Sequence, residues 1–151
     1  MHLIDPNNYY LNNVFWDFLD ASDELPEDNH YVYIENFDLS KNSSSVIKKI
    51  KNCKINCGYA CHYKNQKISW HAPIFEYSDK TILYMKKNNF FDHTGTIYLE
   101  NFFELKSFFY HMALYPSNEN YVDIYVACQP YIFEISHHKH IFLYKSRNNV
   151  I

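Results

Sequence analysis

Hydrophobic positions in this chain change their period along its length, and the changes mark its elements. Leu11, Val14, Phe15, Phe18 and Leu19 fall on one helical face. Asp5-Pro6 ahead of them is a helix start, an acceptor side chain followed by a proline. Ser22-Asp23-Glu24-Leu25-Pro26 reads as a loop, so this helix should stop near Ala21. Tyr31 to Phe37 alternates as a strand does, with Val32 and Ile34 expected on the buried side. Val46, Ile47 and Ile50 return to helical spacing and predict a short helix over 43–51, capped by Ser40 or Asn42.

Further on, Ile55 to Tyr63 and Lys67 to Tyr77 are strand-like runs flanking Lys64-Asn65-Gln66 and predict a hairpin, with Pro73 at a bulge or edge. Thr81 to Lys86 (TILYMK) predicts a third strand of the series. Asp92-His93-Thr94-Gly95 is a turn into a strand at Thr96 to Leu99. Phe102, Leu105, Phe108, Phe109 and Met112 then form one face of a helix over 101–115, ended by Pro116. Tyr121 to Cys128 and Tyr131 to Ser136 predict strands, and His137-His138-Lys139 a turn into a last strand, His140 to Tyr144. No internal repeat and no linker divides the chain. The expected class is α+β: one domain over 1–151, a mostly antiparallel β-sheet with about three helices packed on it.

Composition narrows the classes. With 151 residues, 47% hydrophobic and 21% charged, the chain is long enough to bury one core and too apolar for wholesale disorder. Only two glycines occur, Gly58 and Gly95, which argues against glycine-rich phosphate loops and against collagen-like or linker-like chains. The start, MHLIDPNNYY, shows no secretory signal, and no apolar run is long enough to span a membrane. Four cysteines, Cys53, Cys57, Cys61 and Cys128, do not demand a disulfide framework, and reduced thiols point to the cytoplasm.

Charge changes the picture most. The net charge of −3 conceals a segregation: residues 1–40 carry nine acids and no Lys or Arg, whereas residues 41–89 carry ten lysines and two acids. Asp17, Asp20, Asp23, Glu24, Glu27 and Asp28 crowd the end of the first predicted helix and the loop behind it. Carboxylates there face the negative end of the helix dipole. A site that local electrostatics disfavours is a candidate for service to a basic partner, which a dense negative patch also steers. The alternative is pairing of this segment with the basic middle, or simple solvation. In that middle, Lys64, Lys67, Lys80, Lys86 and Lys87 interleave with Tyr59, Tyr63, Trp70, Tyr77 and Tyr84, the composition of a single-strand nucleic-acid face. Thirteen lysines against one arginine, Arg147, weigh against dedicated phosphate readout.

Two clusters could carry chemistry. Cys53, Cys57 and Cys61 with His62 have zinc-like composition, but on a strand Cys57 and Cys61 would stand about 13 Å apart at ~3.3 Å per residue. No metal or other cofactor is therefore expected. His137, His138 and His140 sit at a predicted hairpin turn, where surface histidines are the simpler reading. His30, His62, His71, His93 and His111 are each possible general bases, yet no spacing pairs one with a partner and no nucleophile elbow occurs, so no catalytic residue is assigned.

A small Tyr-, Phe- and Asn-rich α+β chain with an acidic patch resembles bacterial toxin-immunity proteins, those of contact-dependent growth inhibition and related polymorphic toxin systems. The resemblance is one of style over the whole chain. It implies a non-enzymatic, stoichiometric inhibitor that binds a cognate toxin domain, often a basic nuclease, and blocks its active or substrate-binding surface. The expected contact surface is Asp17, Asp20, Asp23, Glu24, Glu27 and Asp28, with Trp16, Tyr31 and Tyr33 as aromatic anchors. The alternatives are a small His-dependent nuclease or other hydrolase, and a nucleic-acid-binding module built on the Lys/Tyr-rich middle.

Overall fold

In the computed structural model, residues 1–8, 31–39, 44–53, 57–62, 69–72, 76–114, 120–128 and 130–146 are described. They build one seven-stranded sheet and three α-helices, an α+β architecture. The strands are β1 (His2–Leu3), β2 (Tyr31–Asp38), β3 (Gly58–His62), β4 (Ile97–Leu99), β5 (Ile124–Cys128), β6 (Tyr131–Ser136) and β7 (His140–Ser146). Their order across the sheet is β1-β4-β3-β5-β6-β7-β2, and every ladder is antiparallel. The helices are α1 (Ser44–Lys51), α2 (Asp79–Lys87) and α3 (Phe102–Phe109), the last continued by a π-helical turn, Tyr110–Leu114. The first predicted helix, from Asp5-Pro6 to near Ala21, lies outside the described residues from position 9 onward; its start is a turn, with the Asn8 N–H donating to the Asp5 carbonyl at 2.9 Å.

One face of the sheet contributes Ala60, Ile97, Leu99, Ile124, Val126, Phe133, Ile135, Ile141 and Leu143 to a continuous core. The helices meet it with Val46 and Ile50 from α1, Met85 from α2, and Leu105, Phe108 and Phe109 from α3. For α1 and α3 this is the apolar stripe that their helical spacing predicts. Trp70 fills the space between elements edge-on to Phe90 and Phe108, and its indole N–H donates to the Gly95 carbonyl at 3.0 Å. The opposite face also buries Cys61, Tyr125, Ile132 and Tyr144.

Three expectations need correction. Residues 81–86 are not a strand. They lie inside α2, whose N-terminus is capped by Ser78 Oγ accepting from the Thr81 N–H at 3.3 Å. Thr81, Tyr84 and Met85 are its buried positions, a spacing of three and four that a strand cannot bury on one side. Nor do 55–63 and 67–77 form a hairpin: β3 is flanked by β4 and β5, so neither of its edges is open to a following strand. Of 67–77, Ser69 bridges Thr94 and Glu76 bridges Tyr121, each singly; Pro73 lies outside the described residues. Ile34 is exposed rather than buried, because a bulge between Tyr33 and Glu35 in the β2–β7 ladder resets the alternation, and Phe37 carries the buried side instead. The two-residue strand β1, paired with β4, has no periodic signal in the sequence and was not anticipated.

Candidate functional site

A groove of about 550 Å³ runs between α2 and α3, lined by Lys80, Leu83, Tyr84, Lys87, Asn88, Ser107 and His111. Its α2 wall follows from helical spacing: residues 80, 83, 84 and 87 lie at i, i+3, i+4 and i+7, one above another. Lys80, Leu83 and Lys87 are exposed, whereas Tyr84 turns inward. Ser107 and His111, four residues apart, form the facing wall.

The floor is a stack. The Tyr84 and His111 rings lie parallel, 1° apart in plane, with centroids 4.3 Å apart. Burial pushes the Tyr84 hydroxyl up to about 12, partly offset by a hydrogen bond with Ser107, so the phenol keeps its proton at neutral pH. His111 Nδ1 stands 2.9 Å from the Ser107 carbonyl oxygen, which can only accept. The proton of the neutral ring therefore sits on Nδ1, and Nε2 is its acceptor. A regular α-turn would give that carbonyl to the backbone N–H of residue 111. A side chain intruding on this ladder coincides with the change to π geometry at Tyr110.

A buried polar brace fixes the two walls. Thr81 Oγ1 donates to the His111 carbonyl at 2.6 Å. The Asn120 amide donates to Thr81 Oγ1 at 2.8 Å and to the Met112 carbonyl at 3.0 Å, while its oxygen accepts from the Ser78 N–H at 2.6 Å. The helix-end carbonyls of the π turn and the first turn of α2 thus share one satisfied network.

Of the anticipated contact residues, Trp16, Asp17, Asp20, Asp23, Glu24, Glu27 and Asp28 lie outside the described residues. Tyr31 is the first residue of β2, opposite Ser146. Tyr33, further along the same strand, is 40% exposed and meets Tyr144 edge-on. The acidic and basic segments meet where Glu35 pairs with Lys49 at 3.3 Å. Of the interleaved aromatics, Trp70 and Tyr84 are buried, Tyr59 and Tyr77 half-buried, and Tyr63 lies outside the described residues.

The cysteines group differently from their sequence spacing. Cys61 is buried in β3. Cys53, closing α1, is hydrogen-bonded to Cys128 at the end of β5, with Cys57 close enough to act on the same thiol. Contact with Cys128 and the charge of Lys49 outweigh burial and lower the Cys53 thiol, while the same contact and burial raise Cys128. Cys128 stands 67 residues beyond Cys61 in the sequence, so nothing local announces this pairing. Among the described residues, no group of three or more His, Cys, Asp or Glu could hold a metal ion.

Several of the remaining histidines make local polar contacts. His137 Nδ1 pairs with Asp123 at 2.9 Å, His71 with Asp92 at 2.9 Å, and His140 Nδ1 lies 3.0 Å from Asn36 Oδ1. His93 donates through Nε2 to the Thr96 carbonyl at 3.1 Å. His62 belongs to β3, and His30 lies outside the described residues. Among the described residues, no helix is long and apolar enough to cross a membrane.

The sequence predicts a strand over 81–86, which sends Lys80 to the face opposite Leu83 and Lys87, so the groove is not legible from that pattern. The signal was present as Ser78 followed by an i, i+3, i+4, i+7 stripe. No family model, no curated protein and no solved structure matches this chain.

Proposed function

We propose that this protein is a non-catalytic, stoichiometric inhibitor of the toxin-immunity kind. In this reading its acidic first quarter engages a basic toxin domain, a nuclease by preference, and covers the toxin's active or substrate-binding surface. One observation carries the reading: nine acids and no Lys or Arg occupy residues 1–40. The segment runs directly into β2, a strand at the end of the sheet order that leaves Tyr33 and Ile34 exposed. Dense negative charge beside exposed aromatic and aliphatic side chains suits fast capture and anchoring of a cationic partner.

A tagged pull-down from the native cell, washed at low and moderate salt, tests it. One basic protein retained at near-equal stoichiometry is the expected outcome. Neutralising Asp20, Asp23, Glu24 and Glu27 together should slow association with that protein about tenfold at low salt. Unchanged rate and affinity would remove the acidic segment from the interface.

A second reading, a His-dependent nuclease or other hydrolase, is favoured by the meeting of His111, Ser107, Tyr84 and two lysines in one groove. His111→Ala separates the two readings, since it would abolish hydrolysis and leave toxin capture intact.

A further inference from the structure

We propose that the groove between α2 and α3 is a binding site for a small organic phosphate, an anion carried on an apolar body. The inference concerns binding alone; it is independent of the inhibitor reading and shares its groove with the hydrolase reading. Its lining includes two lysines and no carboxylate, which favours an anion there, with Glu104 acting on Tyr84 from outside the lining. Lys80 and Lys87 stand two helical turns apart, about 10.5 Å along the axis at ~1.5 Å per residue. Their long stems can fold inward from either side and place both ammonium groups on one anion between them. A phosphate monoester, with close to two negative charges and three acceptor oxygens, suits two ammonium groups better than a singly charged carboxylate. The Ser107 hydroxyl adds a polar contact from the facing wall.

The rest of the groove calls for an apolar partner. Leu83 lies between the two lysines and is 67% exposed, an aliphatic surface that no described element covers. Beside it is the Tyr84–His111 stack, held in place from behind by Thr81 and Asn120. A volume of about 550 Å³ is in the range of small-ligand sites, roughly 300–1,000 Å³. The walls are helices locked by a buried network, so the site is formed before any ligand arrives.

A free nucleotide and the phosphorylated end of a nucleic acid share this chemistry, and one titration separates them. The full ¹⁵N-labelled chain is followed by amide NMR with AMP, adenosine, inorganic phosphate and a 5′-phosphorylated thymidine tetranucleotide. Saturable shifts with AMP, centred on residues 80–88 and 107–112, are expected, with adenosine and inorganic phosphate each about tenfold weaker or more. Tighter binding of the tetranucleotide assigns the site to a nucleic-acid end, and equal or weaker binding to a free nucleotide. Combining Lys80→Ala with Lys87→Ala, both exposed and retaining the fold by the same spectra, should weaken AMP by about tenfold or more. Leu83→Ser should weaken AMP while leaving inorganic phosphate unchanged. The proposal is overturned if AMP gives no saturable shift at millimolar concentration, if binding survives the double substitution, or if inorganic phosphate binds as tightly as AMP.

Discussion

Both glycines of this chain stand where a side chain has no place. Gly95 has φ of 103°, a backbone region L-residues avoid, and its carbonyl receives the Trp70 indole. Gly58 opens β3 beneath α3, where a Cβ would come within 2.7 Å of the Ala127 carbonyl oxygen and 3.3 Å of Leu105 Cδ2. The first of these neighbours is backbone in a central strand and cannot yield cheaply. Gly58→Ala should therefore cost about 1–3 kcal/mol in urea unfolding, and a neutral result would mean that β3 and α3 part more easily than their packing suggests. His93 gives a second residue-scale expectation. Burial lowers its pKa below the ordinary 6.5, against hydrogen bonds and a nearby Asp5 that favour the charged ring. The sign follows from linkage: as pH falls below about 6.5, the unfolded chain takes up a proton that the folded chain refuses. The contribution of neutral His93 is present above that pH and is lost on acidification toward the folded-state value. His93→Gln should flatten the decline of Tm between about pH 7 and about pH 5. An identical slope in both proteins would show that His93 is not protected.

At the scale of elements, α2 shows both what the sequence discloses and what it conceals. Thr, Ile, Leu and Tyr in succession have the composition of a strand, and β-propensity follows side-chain packing more than any intrinsic backbone preference. The decisive marks were positional: a Ser at 78, and buried residues at 81, 84 and 85. α3 was legible because its apolar stripe runs from Phe102 to Met112, long enough to exclude alternation. Its closing π turn was not, since no hydrophobic period records it; there His111 Nδ1 meets the Ser107 carbonyl and Asn120 reaches the Met112 carbonyl from outside the helix. Asn120 is one residue making three described contacts that span α2 and the π turn. Asn120→Ala should cost about 2–3 kcal/mol, leaving the Ser78 N–H and the Met112 carbonyl without that partner. Thr81→Val, which keeps the volume and removes the hydroxyl, should cost less alone. The double substitution should cost less than the sum of the two, because both delete one network. Additivity in that cycle, read by chemical denaturation, would mean that Thr81 and Asn120 act separately.

For the molecule as a whole, the class could be read from the chain but the order of its strands could not. Two ladders, β5–β6 and β6–β7, join neighbours in sequence, and the turn at 137–139 foretold the second. The other four join distant segments: His2 lies opposite Tyr98, Gly58 opposite Leu99, His62 opposite Ile124 and Tyr31 opposite Ser146. Periodicity records which face of a strand is buried; it holds no record of which strand lies alongside. The same topology sets a kinetic expectation. Closing loops of this length before their contacts form is entropically costly, so folding should fall in the millisecond-to-second range. The local β5–β6–β7 meander, crossed by Phe109 on Phe133, should be the cheapest nucleus, with β2 joining later. Ile132→Val, buried in β6, should then slow folding in stopped-flow refolding, while Phe37→Leu in β2 should chiefly speed unfolding. If Phe37→Leu slows folding as strongly as Ile132→Val does for equal loss of stability, β2 is already in place at the transition state.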